Sequence, residues 1–211
     1  IIDAIKTQNT NIAQFVHYNT SIAEFRVTGG QLGKIDDDFY LTFGQHCSGL
    51  YCDTFQKYTK AIYKFSTTPT LETITIEDQA HYNPITDTGW RRRDYTLAPL
   101  IIHNPITNTP KEVLFAMAGP FTPGEPANIW NNGIVFDNEL NVNNQFITQR
   151  ANQYLAPVLS VYSKRRKTSF VATFSGLSTS YWDTEGLAFN DTVPYGNILD
   201  LISVDASGTV K

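Results

Sequence analysis

The chain is short of charge, of sulfur and of long apolar runs. Only 17% of its 211 residues are Asp, Glu, Lys or Arg, and 16 basic against 20 acidic groups leave a net charge of −4, which argues against nucleic acid or any other polyanion as a partner. So little charge beside 41% hydrophobic residues excludes a chain disordered over most of its length. No apolar stretch approaches the roughly 20 residues that span a bilayer as a helix, and candidates such as Leu97 to Ile102 are interrupted by a Pro, so no transmembrane segment is expected. With two cysteines, and with His46 and His81 scattered, no second pair stands at zinc-ligand spacing, and no metal or other cofactor is expected. A Gly-x-Ser-x-Gly elbow, a P-loop and a His-Glu-x-x-His helix are all missing. A glycosidase with paired carboxylates stays open, because folding brings its two acids together and leaves no local signature. The chain opens on Ile1 without a leader, so a longer parent chain is expected, with any export signal upstream.

What is abundant is aromatic and β-branched. Aromatics reach 13%, and Thr, Tyr and Phe recur throughout, side chains that suit a pleated surface. Self-comparison resolves three units. Leu97-Ala-Pro99 recurs as Leu155-Ala-Pro157, and each is followed by an apolar strand ending in Gly, Val113 to Gly119 and Phe170 to Gly176. A third copy of that strand is Phe39 to Gly44, preceded by Phe25-Arg-Val-Thr-Gly-Gly30. A loop and another strand follow each Gly, namely Ala61 to Phe65, Gly133 to Phe136 and Asn197 to Ile202, and Leu71 to Ile76 and Gln145 to Thr148 supply fourth strands. Repeated four-stranded antiparallel units predict an all-β chain, a β-propeller of about three blades within a larger ring, with a β-sandwich as the alternative. The units span residues 25–78, 91–148 and 152–211, after a lead-in over 1–24 that holds a short helix. The small residues at the end of each second strand, such as Ala116, Ala118 and Gly119, place that strand near the axis. Neither face of Phe39 to Phe43 or of Val113 to Ala118 is polar enough for water, so further blades or another subunit should cover the outer sheets.

Phe25-Arg-Val-Thr-Gly-Gly-Gln-Leu32, Phe39-Tyr-Leu-Thr-Phe-Gly-Gln45, Tyr58-Thr-Lys-Ala-Ile-Tyr-Lys-Phe65 and Arg91-Arg-Arg-Asp-Tyr95 resemble the kelch-like β-propeller proteins that many Bacteroidota export or display. Phe43-Gly44 and Ser175-Gly176 stand where that family repeats Gly-Gly. The resemblance implies the fold, a secreted or cell-surface location and a longer chain, and it carries no catalytic residues.

Propellers bind where loops of several blades converge, which singles out residues entering the first strands. Arg91, Arg92, Arg93, Asp94 and Tyr95 enter one, Gln153 and Tyr154 enter another, and His46 follows a strand end. Together they make a candidate polar funnel for a glycan or a protein surface, with inter-blade ion pairs as the alternative use of Arg93 and Asp94. Trp90, Trp130, Tyr181 and Trp182 either stack on sugars or fill the space between blades. Lys164-Arg-Arg-Lys167 reads as a solvated hairpin tip, and Asp36 to Asp38 and Asp137 to Asn143 as turns. Cys47 and Cys52 enclose a spacer short enough for a disulfide if the strands pair there, with two reduced thiols as the alternative. The functional expectation is an exported, non-enzymatic binding or scaffold module, with a carbohydrate-active enzyme as the alternative.

Overall fold

The structure is a computed structural model and describes residues 6–7, 22–49, 56–68, 73–81, 89–104, 106–117, 119–120, 122, 129–149, 156–177, 180–183, 186–189 and 195–211. The chain is all-β, built from antiparallel sheets, and no helix among the described residues is long and apolar enough to cross a membrane. The expected lead-in helix lies outside the described residues except for Lys6 and Thr7.

The first sheet is a meander of β1 (Gln31–Ile35), β2 (Asp38–Thr42), β5 (Ala61–Thr67) and β6 (Ile74–His81), with a hairpin of β3 (Gln45–Cys47) and β4 (Gln56–Tyr58) inserted between β2 and β5. The second is β7 (Thr96–His103), β8 (Pro110–Met117), β9 (Asn132–Phe136) and β10 (Val142–Thr148), again in sequential order. The third is β11 (Val158–Ser163), β12 (Thr168–Leu177) and β15 (Tyr195–Val204), with the hairpin β13 (Ser180–Asp183) and β14 (Gly186–Phe189) inserted between β12 and β15. Beside β15, Ser203 and Lys211 exchange two backbone hydrogen bonds of 2.9 Å around an isolated bridge between Val204 and Val210.

Local chemistry sets these boundaries. Ile35 and Asp38 close a two-residue turn in which Asp36 takes a left-handed φ of 52°, a conformation Asp tolerates. Strand β2 ends because Phe43 (φ 46°) and Gly44 (φ 88°) both turn left-handed. A Cβ on Gly44 would lie 2.7 Å from the Gly30 nitrogen, so Gly is required there. At the β9–β10 turn, Asp137 accepts the backbone N–H groups of Glu139 and Asn141, each at 2.9 Å, and the Lys111 ammonium at 2.7 Å. Burial raises the Asp137 pKa, but these bonds outweigh it and hold the group below the ordinary carboxylate range.

The three large sheets stack face to face, and the second is covered on both sides. Leu114, Ala116, Ile134 and Phe136 of its one face meet Ile35, Tyr40 and Ile62 of the first sheet. Val113, Phe115, Met117 and Val135 of its other face meet Val171 and Val204 of the third. That is why Val113-Leu-Phe-Ala-Met117 reads as an unbroken apolar run, buried at every position. A fully buried side chain such as Phe115 contributes on the order of 2–3 kcal/mol of transfer free energy.

One expectation about the strands is corrected. The first strand of unit one is Gln31–Ile35 rather than Phe25 to Gly30, because Ala23–Phe25 forms a 3-10 turn and Gly29 (φ 68°) bends the chain before the ladder starts. Between sheets, β7 meets both β1 and β11, and second strands take part as well, β12 against β7 and β8 against β1. Gly33 of β1 permits this, since a Cβ there would lie 2.5 Å from Leu114 Cδ1. Among the described residues the stack is open and does not close into a ring.

Candidate functional site: a cleft where the three sheets meet

Strand β7 is the inner edge of its sheet, and an edge strand presents unpaired backbone groups. Pro99 removes one donor from that edge. Hydroxyls of the third sheet satisfy others. Ser160 donates to the Pro99 carbonyl, and Ser169 accepts from the Ile101 N–H at 3.0 Å while donating to the Ile101 carbonyl at 2.8 Å. Beside this seam lies a cleft of about 190 Å³ to which all three sheets contribute: Lys34 from β1, Pro99 and Ile101 from β7, Glu112 from β8, and Ser160, Tyr162 and Ser169 from β11 and β12.

A space of that size holds about six waters, or one sugar ring or side chain, and is smaller than a drug-sized pocket. Among the described residues its wall carries one cation, one carboxylate and three hydroxyls. The Tyr162 hydroxyl lies 2.7 Å from His103 Nε2. His103 Nδ1 faces the Asn108 carbonyl at 2.9 Å, and a carbonyl only accepts, so Nδ1 carries hydrogen. In the neutral ring Nε2 is then the acceptor and Tyr162 donates to it, which leaves the phenolic oxygen lone pairs for a ligand. Lys34 also reaches Asp37 at 3.3 Å across the exposed turn. Ser160 and Ser169 donate to carbonyls rather than to a base, so neither is an activated nucleophile. Among the described residues no cluster of three or more His, Cys, Asp or Glu is placed to hold a metal ion.

The sequence-derived candidates occupy another place. Arg91 to Tyr95 form a strap between the first two sheets. Arg92 is fully buried and donates to the carbonyls of Gly89 (3.1 Å), Ala116 (3.0 Å) and Asn132 (2.8 Å), and burial lowers its pKa. Its own carbonyl accepts the Gly44 N–H at 2.9 Å. The buried Tyr95 hydroxyl donates to the Thr42 carbonyl at 2.8 Å and accepts from the Gln31 N–H at 3.2 Å, and burial pushes its pKa upward. Arg93 Nε lies 3.5 Å from Asp94 Oδ2, and the Asp94 N–H donates to Gly29 at 2.8 Å. Burial raises the Asp94 pKa and Arg93 opposes that rise. Arg91 lies 4.2 Å over the Tyr58 ring, on the same hairpin that carries the half-buried His46.

Gln153 and Tyr154 lie outside the described residues. Cys47 sits in β3, which does pair with β4, and Cys52 lies outside the described residues. Trp90 is buried between the first two sheets and donates to Asn144 at 2.6 Å, and Trp130 donates to the Arg91 carbonyl at 2.9 Å. Of Tyr181 and Trp182 the structure describes the backbone, in β13.

Sequence reasoning missed Lys34, Glu112, Ser160, Tyr162 and Ser169. The available signal was polar residues on inner strands next to the repeated Pro, but their meeting depends on which strand of each unit is innermost. No protein-family model matches the chain, and no curated protein matches it either.

Proposed function

We propose that the three stacked units are blades of a kelch-like β-propeller acting outside the cytoplasm as a non-enzymatic binding or scaffold module, with a glycan or a protein surface as ligand. Support for the blade reading comes from the sequential meanders, the first strands that meet between sheets and the second sheet covered on both faces. Support for export comes from the resemblance carried by Phe25 to Leu32, Phe39 to Gln45, Tyr58 to Phe65 and Arg91 to Tyr95.

The observation that carries the binding reading is the cleft shared by β1, β7, β8, β11 and β12. Its Lys34 donor, Glu112 acceptor and Tyr162 oxygen suit one hydroxyl-rich ring or one polar side chain. Among the described residues Glu112 is the one carboxylate on that wall, whereas hydrolysis by paired acids requires two. The test is a glycan and peptide array probed with the wild-type chain and with Glu112→Gln and Lys34→Ala. Selective retention that weakens at least about tenfold in both variants supports the reading. Retention unchanged in both variants, or release of reducing ends from any retained glycan, overturns it.

A further inference from the structure

We propose that His103 sets how the cleft bonds its ligand: beside the neutral ring Tyr162 offers an acceptor, and beside the protonated ring it offers a donor. The inference deepens the cleft reading and rests on it, because it names the ligand class that each state of the ring favours.

The arrangement starts in the turn between β7 and β8. The Asn104 side chain accepts the N–H groups of Ile106 (2.8 Å) and Thr107 (3.0 Å), and the Asn104 carbonyl accepts the Asn108 N–H at 2.8 Å. Asn108 completes the turn with a left-handed φ of 54°, which Asn tolerates. The turn thereby holds the Asn108 carbonyl 2.9 Å from His103 Nδ1, with the side-chain oxygen of the same residue at 3.1 Å. His103 is buried, and its other nitrogen is taken by the Tyr162 hydroxyl at 2.7 Å. Turning the ring over would put carbon against both partners, so its orientation is fixed.

A fixed ring gives a proton one destination. Nδ1 carries hydrogen in either charge state, because the carbonyl it faces only accepts, and a proton gained goes to Nε2. Nε2 then donates, the Tyr162 oxygen accepts, and the phenolic O–H is released from the ring. Tyr162 is half-buried and lines the cleft, so the released O–H turns toward it by rotation about one C–O bond. The neutral ring thus favours a ligand that donates, such as an ammonium, and the protonated ring one that accepts, such as a carboxylate. His103 lies behind the cleft wall and acts through Tyr162, which makes it a positioning residue.

The ionisable groups on the elements around β7 are Lys111 and Glu112 of β8, Lys34 of β1, Tyr162 of β11 and Lys164 to Lys167 of the tip beyond it. Lys111 is held by Asp137 at 2.7 Å, the tip is exposed, and Lys34 and Glu112 stand on the cleft wall. The turn 104–109 carries no ionisable side chain. Among the described residues Tyr162 is the one ionisable group bonded to the ring.

The experiment is NMR on the chain labelled with 15N in the histidine rings and 13C at tyrosine Cζ, from about pH 8 to about pH 5, the range over which histidine changes charge. His103→Gln and Tyr162→Phe assign the signals. At the upper end His103 should show hydrogen on Nδ1 and a bare Nε2. At the lower end both nitrogens should carry hydrogen, and the Tyr162 signal should move with the same midpoint. Affinities for methyl glucuronoside and 2-aminoethyl glucoside, which keep their charges over this range, give the ligand readout. Acidification should shift their ratio about tenfold toward the carboxylate sugar, and by less than about threefold in His103→Gln and in Tyr162→Phe. An equal shift in Tyr162→Phe means that bare charge acts without the hydroxyl, and it overturns the proposal. So does a His103 ring that stays neutral throughout, or one with a bare Nδ1 at the upper end. If neither sugar binds, the ligand reading falls by itself, and a Tyr162 signal that ignores the ring still overturns this inference.

Discussion

Replacing Arg92 by Met should be among the most damaging single changes in the molecule. The guanidinium is fully buried, pairs with no carboxylate among the described residues, and is held by carbonyls of Gly89 just before the strap, of Ala116 in β8 and of Asn132 at the start of β9. Gly89 and Gly119 make its socket, since a Cβ on either would come within 2.7 and 2.8 Å of the Arg92 side chain. Met fills much of the same volume but donates nothing. The three carbonyls then lose their charged donor, and an unsatisfied buried group costs about 1–3 kcal/mol. Removal of the buried cation itself returns part of that, because its desolvation is no longer required. A net loss of about 3–4 kcal/mol follows. With a urea slope near 2 kcal/mol per molar, the unfolding midpoint should fall by about 1.5–2 M. Arg92→Lys keeps the charge but not the planar fork, and should fall between wild type and Met. Arg91→Met is the control, since its stacking on Tyr58 is worth about 1 kcal/mol or less. Equal shifts for the Arg91 and Arg92 variants, or an Arg92→Met shift under about 0.5 M, would refute the assignment of Arg92 as the tie between strap and sheet.

Other perturbations test separate contacts. Gly33→Val drives side-chain atoms into Leu114 and Leu97 between the first two sheets, so about 1–3 kcal/mol should be lost and the melting temperature should drop by several degrees; an unchanged melt shows that the sheets are further apart than described. Phe43→Gly relieves a left-handed residue by about 1 kcal/mol but deletes a ring packed at 5.5 Å on both Trp90 and Tyr95, and the net effect should be a loss of about 2–4 kcal/mol, with any gain in stability contradicting the packing. Asp137 has a folded-state pKa below its unfolded one, so its contribution is present above about pH 4 and is lost as the pH falls through the folded value. Asp137→Asn should therefore destabilise at pH 7 by about 1–2 kcal/mol and flatten the acid limb of the stability profile; a parallel acid limb in the variant sinks the argument.

Much of the all-β architecture was legible because burial on both faces leaves unbroken apolar runs, as in Val113 to Met117, and because Gly44 and Gly119 follow the ends of β2 and β8, although Gly176 lies within β12. Repetition was a less faithful guide. Leu97-Ala-Pro99 and Leu155-Ala-Pro157 look like one element repeated, yet Pro99 stands opposite Leu114 within β7, whereas Pro157 precedes β11 and its carbonyl accepts the Phe174 N–H. Relative to the second strands the two triplets are displaced by three residues, since Thr96 rather than Pro99 stands opposite Met117, the counterpart of Phe174. The hairpins β3–β4 and β13–β14 were hidden by their short strands. The strap residues Arg91 to Tyr95 stood out by charge, and charge alone does not separate a ligand-facing arginine from one like Arg92 that ties buried carbonyls together. The cleft is harder still, because its polar residues come from different sheets and share no local pattern.

Hydrogen exchange followed residue by residue tests the sandwiched second sheet most directly. Backbone amides of β8 and β9, around Leu114, Phe115, Ile134 and Val135, have packed side chains on both faces and should exchange slowest in the molecule, ahead of those in β2 and β12. Exchange of β8 and β9 as fast as that of β6, whose side chains are half-buried or exposed throughout, would contradict the stacking that forms the cleft.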